Sequence, residues 1–151
     1  MESTYFPRRN EIYMAVLPVT SKSVQYGKRP VLIVQNDIGN EMSPTTIVAP
    51  ITSRSKRNMP THVTIGPETG LKNESVVLCE QLVTVNISTL SEKIGEVTDK
   101  KTICAIDDAI ACSLGLMLMY GKEASNRKQE IDRQHYTIPN QRPKDKHCGK
   151  I

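Results

Sequence analysis

Two aliphatic runs joined by one turn-rich segment, KRPVLIVQNDIGNEMSPTTIVAPIT at residues 28–52, constrain the fold of this chain more than any other feature. The runs are apolar and rich in β-branched residues. Between them stand Asn36, Asp37, Gly39, Asn40, Ser43 and Pro44, which are turn-forming types. The stretch therefore reads as an antiparallel hairpin closed by a loop centred near positions 40 and 41. Folding about that centre makes paired residue numbers sum to about 81. Arg29 then faces Thr52 at the open end of the hairpin. A permanently charged guanidinium beside a hydroxyl, on the rim of an apolar sheet, suits a phosphate or a carboxylate.

The rest of the chain extends the β pattern. Residues 11–17 alternate in character and stop at Pro18. The hairpin strands are expected at 29–35 and 45–52, and Pro50 predicts an edge or a bulge just before Thr52. A short strand is expected at 61–65, then a turn at Gly66, Pro67 and Gly70. Residues 75–85, SVVLCEQLVTV, read as one long central strand, and residues 90–97 as another. Thr98 or Asp99 can cap a helix whose Ile103, Ile106, Ile110, Leu114 and Met117 recur at helical spacing, with Asp107 and Asp108 off that face. Six or seven short strands with one helix predict a mainly β protein, a small antiparallel barrel or sandwich with a C-terminal helix.

The 151 residues suit one well-cored domain, with no Trp and a single Phe, so the core falls to Val, Ile, Leu and Met. No run is long and apolar enough for a membrane span, and MESTYFPRRN has no apolar leader core, which predicts a soluble, cytoplasmic protein. The net charge of +4 is not spread evenly. Residues 1–120 hold 12 Lys/Arg and 12 Asp/Glu, whereas residues 121–151 hold 8 and 4. The division expected is a domain at 1–120 and a polar, basic extension at 121–151, partly helical or disordered. Within the domain, Lys22, Lys28, Arg29, Arg54, Lys56 and Arg57 concentrate positive charge around the hairpin. Cys79, Cys104, Cys112 and Cys148 lack ligand spacing, and Cys79 and Cys104 stand in apolar contexts, so buried or idle thiols are expected rather than a disulfide or metal site. No metal or other cofactor is expected.

The polar residues within the apolar strands are Arg29, Thr52, Glu80 and Gln81, and His62 is the one histidine before the tail. Read alone, they leave an anion site and a set of solvated or structural groups as alternatives.

The runs RPVLIVQND, SPTTIVAPIT, MPTHV and LCEQLVTV, in that order and spacing over about residues 8–118, resemble the MazF/PemK family of toxin endoribonucleases from type II toxin–antitoxin modules. The resemblance implies the SH3-like antiparallel barrel of the MazF/PemK/CcdB toxin type, a homodimer, and a cognate antitoxin that covers the RNA groove. It implies metal-independent, sequence-specific cleavage of single-stranded RNA, usually mRNA, by attack of the ribose 2′-hydroxyl on the adjacent phosphorus. It assigns catalysis to Arg29 and Thr52 and places Gln81 and His62 on the RNA-binding face. Tyr26, Lys28, Arg54 and Glu80 complete the candidate RNA-binding set on chemical grounds, Tyr26 as a base-stacking ring and Glu80 as a possible base. Related toxins of the same fold bind DNA gyrase instead, which is the alternative function. Two segments depart from the family pattern. Arg9-Asn10-Glu11-Ile12-Tyr13 stands where Arg-Gly-Asp-hydrophobic-Tyr is usual, and Val24-Gln25-Tyr26-Gly27 replaces a loop that usually carries an acid and paired glycines.

Overall fold

A computed structural model describes residues 5–54 and 57–116 of the chain. These lie in the first of two units into which the chain divides, Met1–Leu118 and Met119–Ile151. The expectations for Lys56, Met117, Cys148 and residues 121–151 fall outside the described residues.

The elements in order are β1 (Glu11–Leu17), β2 (Gly27–Ile33), α1 (Asp37–Met42), β3 (Thr45–Thr52), β4 (His62–Ile65), β5 (Ser75–Leu78), β6 (Val83–Asn86), β7 (Leu90–Glu96) and α2 (Lys100–Leu114). The strands form one antiparallel sheet in the order β4-β5-β3-β2-β1-β7, with β6 also on β3. Val31 pairs with Pro50, Leu32 with Ala49 and Ile33 with Val48, so the hairpin register sums to 81 as expected. The class is mainly antiparallel sheet with a C-terminal helix. Closure differs from expectation, because β4 and β7 end the sheet with no pairing between them.

Strand alternation explains why the central runs are apolar without a break. Ile12, Leu32, Ala49, Ile51 and Val77 pack with Ile106 and Ala109 of α2. Their neighbours Tyr13, Ala15, Val31, Ile33 and Val48 form a second cluster on the other face. The Asp99 carboxylate caps α2 by accepting from the Thr102 N–H at 2.8 Å, and Gly115 ends it in the left-handed conformation. Ile103 and Ile110 pack against the first cluster, but Leu114 is exposed. No helix among the described residues is long and apolar enough to cross a membrane.

Four expectations are corrected. The segment between β2 and β3 is not all loop, because it contains α1. Asn36 caps that helix by accepting from the Gly39 N–H at 2.8 Å. Six residues are too few to show helical periodicity, and Asn begins turns and helices by the same hydrogen bond. Residues 75–85 are two strands. Ile51 faces Val77 but Thr45 faces Asn86, a register difference of three residues. The turn at 79–82 absorbs it, closed by the Gln81 N–H on the Leu78 carbonyl at 3.1 Å. Pro50 is not on an edge. It stands on β3 between the stretch paired with β6, ending at Val48, and the stretch paired with β5, starting at Ile51, where its missing N–H costs least. Finally, Cys79 is buried and its thiol is pushed up to about 12 by burial, but Cys104 is exposed on α2, as is Cys112.

Asn10 stands where glycine is usual in the family pattern. Asn10 holds φ 74°, a left-handed conformation that Asn tolerates better than most residues.

Candidate active site

Arg29 lies on β2 and Thr52 ends β3. The last ladder pair between these strands is Val31 with Pro50. Arg29 and Thr52 are each two residues further toward the rim, so they continue the row Ile33/Val48, Val31/Pro50 on one face of the sheet. Thr52 is 5% exposed and Arg29 is half-buried. Lys28 alternates to the opposite face of β2, paired with Val16, and does not join them.

The β1–β2 connection holds the guanidinium. Gly27, at φ 78°, turns the chain so that the Tyr26 carbonyl accepts from Arg29 Nε at 2.9 Å. Gln25 Oε1 accepts from Arg29 Nη1. Among the described residues no carboxylate pairs with Arg29, so its charge is not neutralised. Burial and the positive charge of Arg54 hold its pKa below the usual arginine value. A partly desolvated guanidinium in the field of a second cation favours a bound anion. The Arg54 backbone N–H donates to Thr52 Oγ1 at 3.3 Å, which leaves the Thr52 hydroxyl proton free to donate.

Gln81 reaches this rim from the turn after β5. Its Oε1 accepts from the Gln25 N–H at 2.8 Å, and its Nε2 donates to the Ser23 carbonyl at 3.4 Å. Tyr26 is 48% exposed, as a stacking ring requires. His62 and Glu80 form a separate pair: His62 Nε2 meets Glu80 Oε1 at 2.9 Å, and Nδ1 meets the Arg57 carbonyl at 3.0 Å. Glu80 is thus engaged by His62, which counts against its use as a base at Arg29. Among the described residues no group of three or more His, Cys, Asp or Glu could hold a metal ion.

The structure thus joins Arg29 with Tyr26 and Gln81 through the loop, joins Thr52 with Arg54, keeps His62 with Glu80, and separates Lys28. The residue that sequence reasoning missed is Gln25. Nothing in its spacing marks it, since it touches Gln81 across 56 positions of chain.

Residues 8–114 match the family described as PemK-like, MazF-like toxin of type II toxin–antitoxin system. The chain is 46% identical over 111 residues to an endoribonuclease MazF of Staphylococcus saprophyticus, covering 72% of this chain and 92% of the relative. A solved endoribonuclease from a mycobacterial species, in complex with its cognate antitoxin, is 31% identical with a TM-score of 0.62, over 73% of this chain and 96% of that one. A MazF structure from Deinococcus radiodurans is 22% identical with a TM-score of 0.64, over 74% and 99%, and shares the fold.

Proposed function

The chain belongs to the PemK-like, MazF-like toxin family of type II toxin–antitoxin systems, and on that premise we propose that it cuts single-stranded RNA, mRNA above all, by a metal-independent reaction that arrests translation and growth. The observation that carries the reading is the Arg29 guanidinium, half-buried, without a carboxylate partner among the described residues, and in one row with the buried Thr52 hydroxyl.

The chemistry follows from that pair. The ribose 2′-hydroxyl attacks the adjacent phosphorus and the 5′-oxygen leaves. The products are a 2′,3′-cyclic phosphate and a 5′-hydroxyl end. Charge builds on the non-bridging oxygens of the phosphorane, and fixed donors aimed at it supply the largest stabilisation. Arg29 has the planar fork for this task, and Thr52 adds a hydroxyl donor. Arg54 adds charge for the neighbouring backbone, Gln81 and His62 border the RNA path, and Tyr26 offers a ring for stacking. Arginine is a poor proton acceptor even with a lowered pKa, so the base is assigned to no residue here.

The gyrase-binding alternative is not favoured, since it has no use for Arg29 and Thr52 set in one row and the 46% identical relative is an endoribonuclease. The partners proposed are single-stranded RNA, a second copy of the chain and a cognate antitoxin, in line with the antitoxin bound to the mycobacterial relative. The place of action is the cytoplasm. Residues 1–120 are the toxin domain, and residues 121–151, with 8 basic and 4 acidic residues, add salt-sensitive affinity for RNA.

The test is cleavage of a mixed RNA pool by purified protein in EDTA, with mapping of the ends. Cuts at a short recurring sequence with 5′-hydroxyl ends are expected. Arg29→Ala is expected to abolish them without lowering the melting temperature. Folded wild-type protein that leaves the pool uncut refutes the reading.

A further inference from the structure

We propose that Gln25 is a positioning residue for Arg29, and that Gln81 holds it in place, an assignment that rests on the ribonuclease reading above. An arginine side chain is long and loses much rotamer freedom when it is fixed. A guanidinium on a sheet rim is therefore not oriented by its backbone alone. Here two acceptors fix its plane, the Tyr26 carbonyl on Nε at 2.9 Å and Gln25 Oε1 on Nη1. Both belong to the loop between β1 and β2, in which residues 21–24 are exposed. Such a loop positions nothing unless it is itself held. Gln81 holds it by accepting from the Gln25 N–H at 2.8 Å and donating to the Ser23 carbonyl at 3.4 Å. Gln81 is in turn fixed by its own N–H on the Leu78 carbonyl, in the turn that breaks β5 from β6.

The chemistry of the acceptor matters as much as its place. Both acceptors are neutral, so they orient the guanidinium without cancelling its charge. They use two of its five N–H donors and leave three for a phosphate. A carboxylate at position 25 would take the bidentate edge that the phosphate needs and would neutralise the site. An amide orients and leaves the charge available.

The experiment separates the cleavage step from RNA binding. Single-turnover cleavage of a defined RNA and affinity for a non-cleavable 2′-deoxy version are measured for wild type, Arg29→Ala, Gln25→Ala, Gln25→Glu and Gln81→Ala, with thermal melting as the check on folding. Gln25→Ala is expected to slow cleavage by about 10- to 100-fold, the scale of a misplaced catalytic group, with affinity within about threefold. Gln25→Glu is expected to weaken affinity as well, because it adds a negative charge beside Arg29. Gln81→Ala is expected to slow cleavage as well, since Gln81 holds the loop that carries both acceptors. A Gln25→Ala protein that cleaves at the wild-type rate, or that loses affinity and rate in equal proportion, overturns the proposal while an active wild type and an inactive Arg29→Ala leave the ribonuclease reading standing. A wild type that cleaves nothing overturns both.

Discussion

Lys93 Nζ on β7 meets the Glu11 carboxylate on β1 at 2.7 Å, and Glu11 is only 5% exposed. Burial alone would push the Glu11 carboxyl up. Donors from the Arg8 N–H, Lys93, Tyr5 and Tyr13 outweigh it and hold its pKa below the ordinary value. A folded pKa below the unfolded one means stability that is present above the unfolded pKa and lost as pH falls through the folded one. Glu11→Gln is expected to cost about 1–3 kcal/mol at pH 7, the scale of a hydrogen-bonded charged group. The difference from wild type should shrink toward pH 3. Denaturant titrations at both values check it, and a constant difference across the range would disprove the linkage.

Asn10 holds φ 74° while its N–H donates to Ile33 and its carbonyl accepts from Val97, each at 2.9 Å. Both ends of the residue are tied, so the conformation cannot relax. Asn10→Val is expected to destabilise by about 1–2 kcal/mol, the cost of a left-handed β-branched residue. Asn10→Gly should stay within about 0.5 kcal/mol of wild type, since relief of strain offsets the freedom added to the unfolded chain. Urea midpoints distinguish these outcomes.

Asn40, on α1, is fully buried. Its Oδ1 accepts from Thr46 Oγ1 at 2.7 Å and from Gln35 Nε2 at 3.1 Å, and its Nδ2 donates to the Gln35 carbonyl at 3.1 Å. Asn40→Leu keeps the branched outline but strands the Thr46 hydroxyl and the Gln35 carbonyl. The Thr46 hydroxyl is fully buried and costs about 1–3 kcal/mol when stranded, while the Gln35 carbonyl is half-buried, so a loss of at least about 1 kcal/mol is expected. A variant as stable as wild type would show that the network is dispensable.

Thr52 and Arg54 separate chemistry from binding. Thr52→Val keeps the shape and removes the hydroxyl, so cleavage should fall by about 10²-fold, as when one transition-state donor is lost, with little change in RNA affinity. Arg54→Ala should weaken binding evenly across RNA sequences and reduce the log–log salt slope by about 0.7, the value of one phosphate contact on a single strand. Affinities at several salt concentrations measure the second effect, and an unchanged slope would remove Arg54 from the RNA path.

Local chemistry made much of this legible in advance. β1 and β3 have their expected limits because Glu11, Pro18 and Thr52 bound runs of unmistakable period or composition. The register of β2 on β3 followed from the centre of the intervening segment, even though that segment proved to contain α1, since a compact connection of either kind leaves the strand ends facing. The break at residues 79–82 was hidden because Cys79 and Leu82 continue the apolar character of the strands beside them. Cys104 was misjudged because the apolar residues around it lie on the packed side of α2 and it does not.

By itself the sequence determined a β-rich fold with one capped helix, the family, and the row that ends in Arg29 and Thr52, all of which depend on residues near in the chain or paired by one hairpin. Only the tertiary structure decided how the guanidinium is held. Gln25 and Gln81 are 56 positions apart, and their meeting depends on where the β5–β6 break falls relative to the β1–β2 loop. A side-chain amide leaves no periodic trace, so its partner becomes visible only when the sheet has brought the two loops to the same rim.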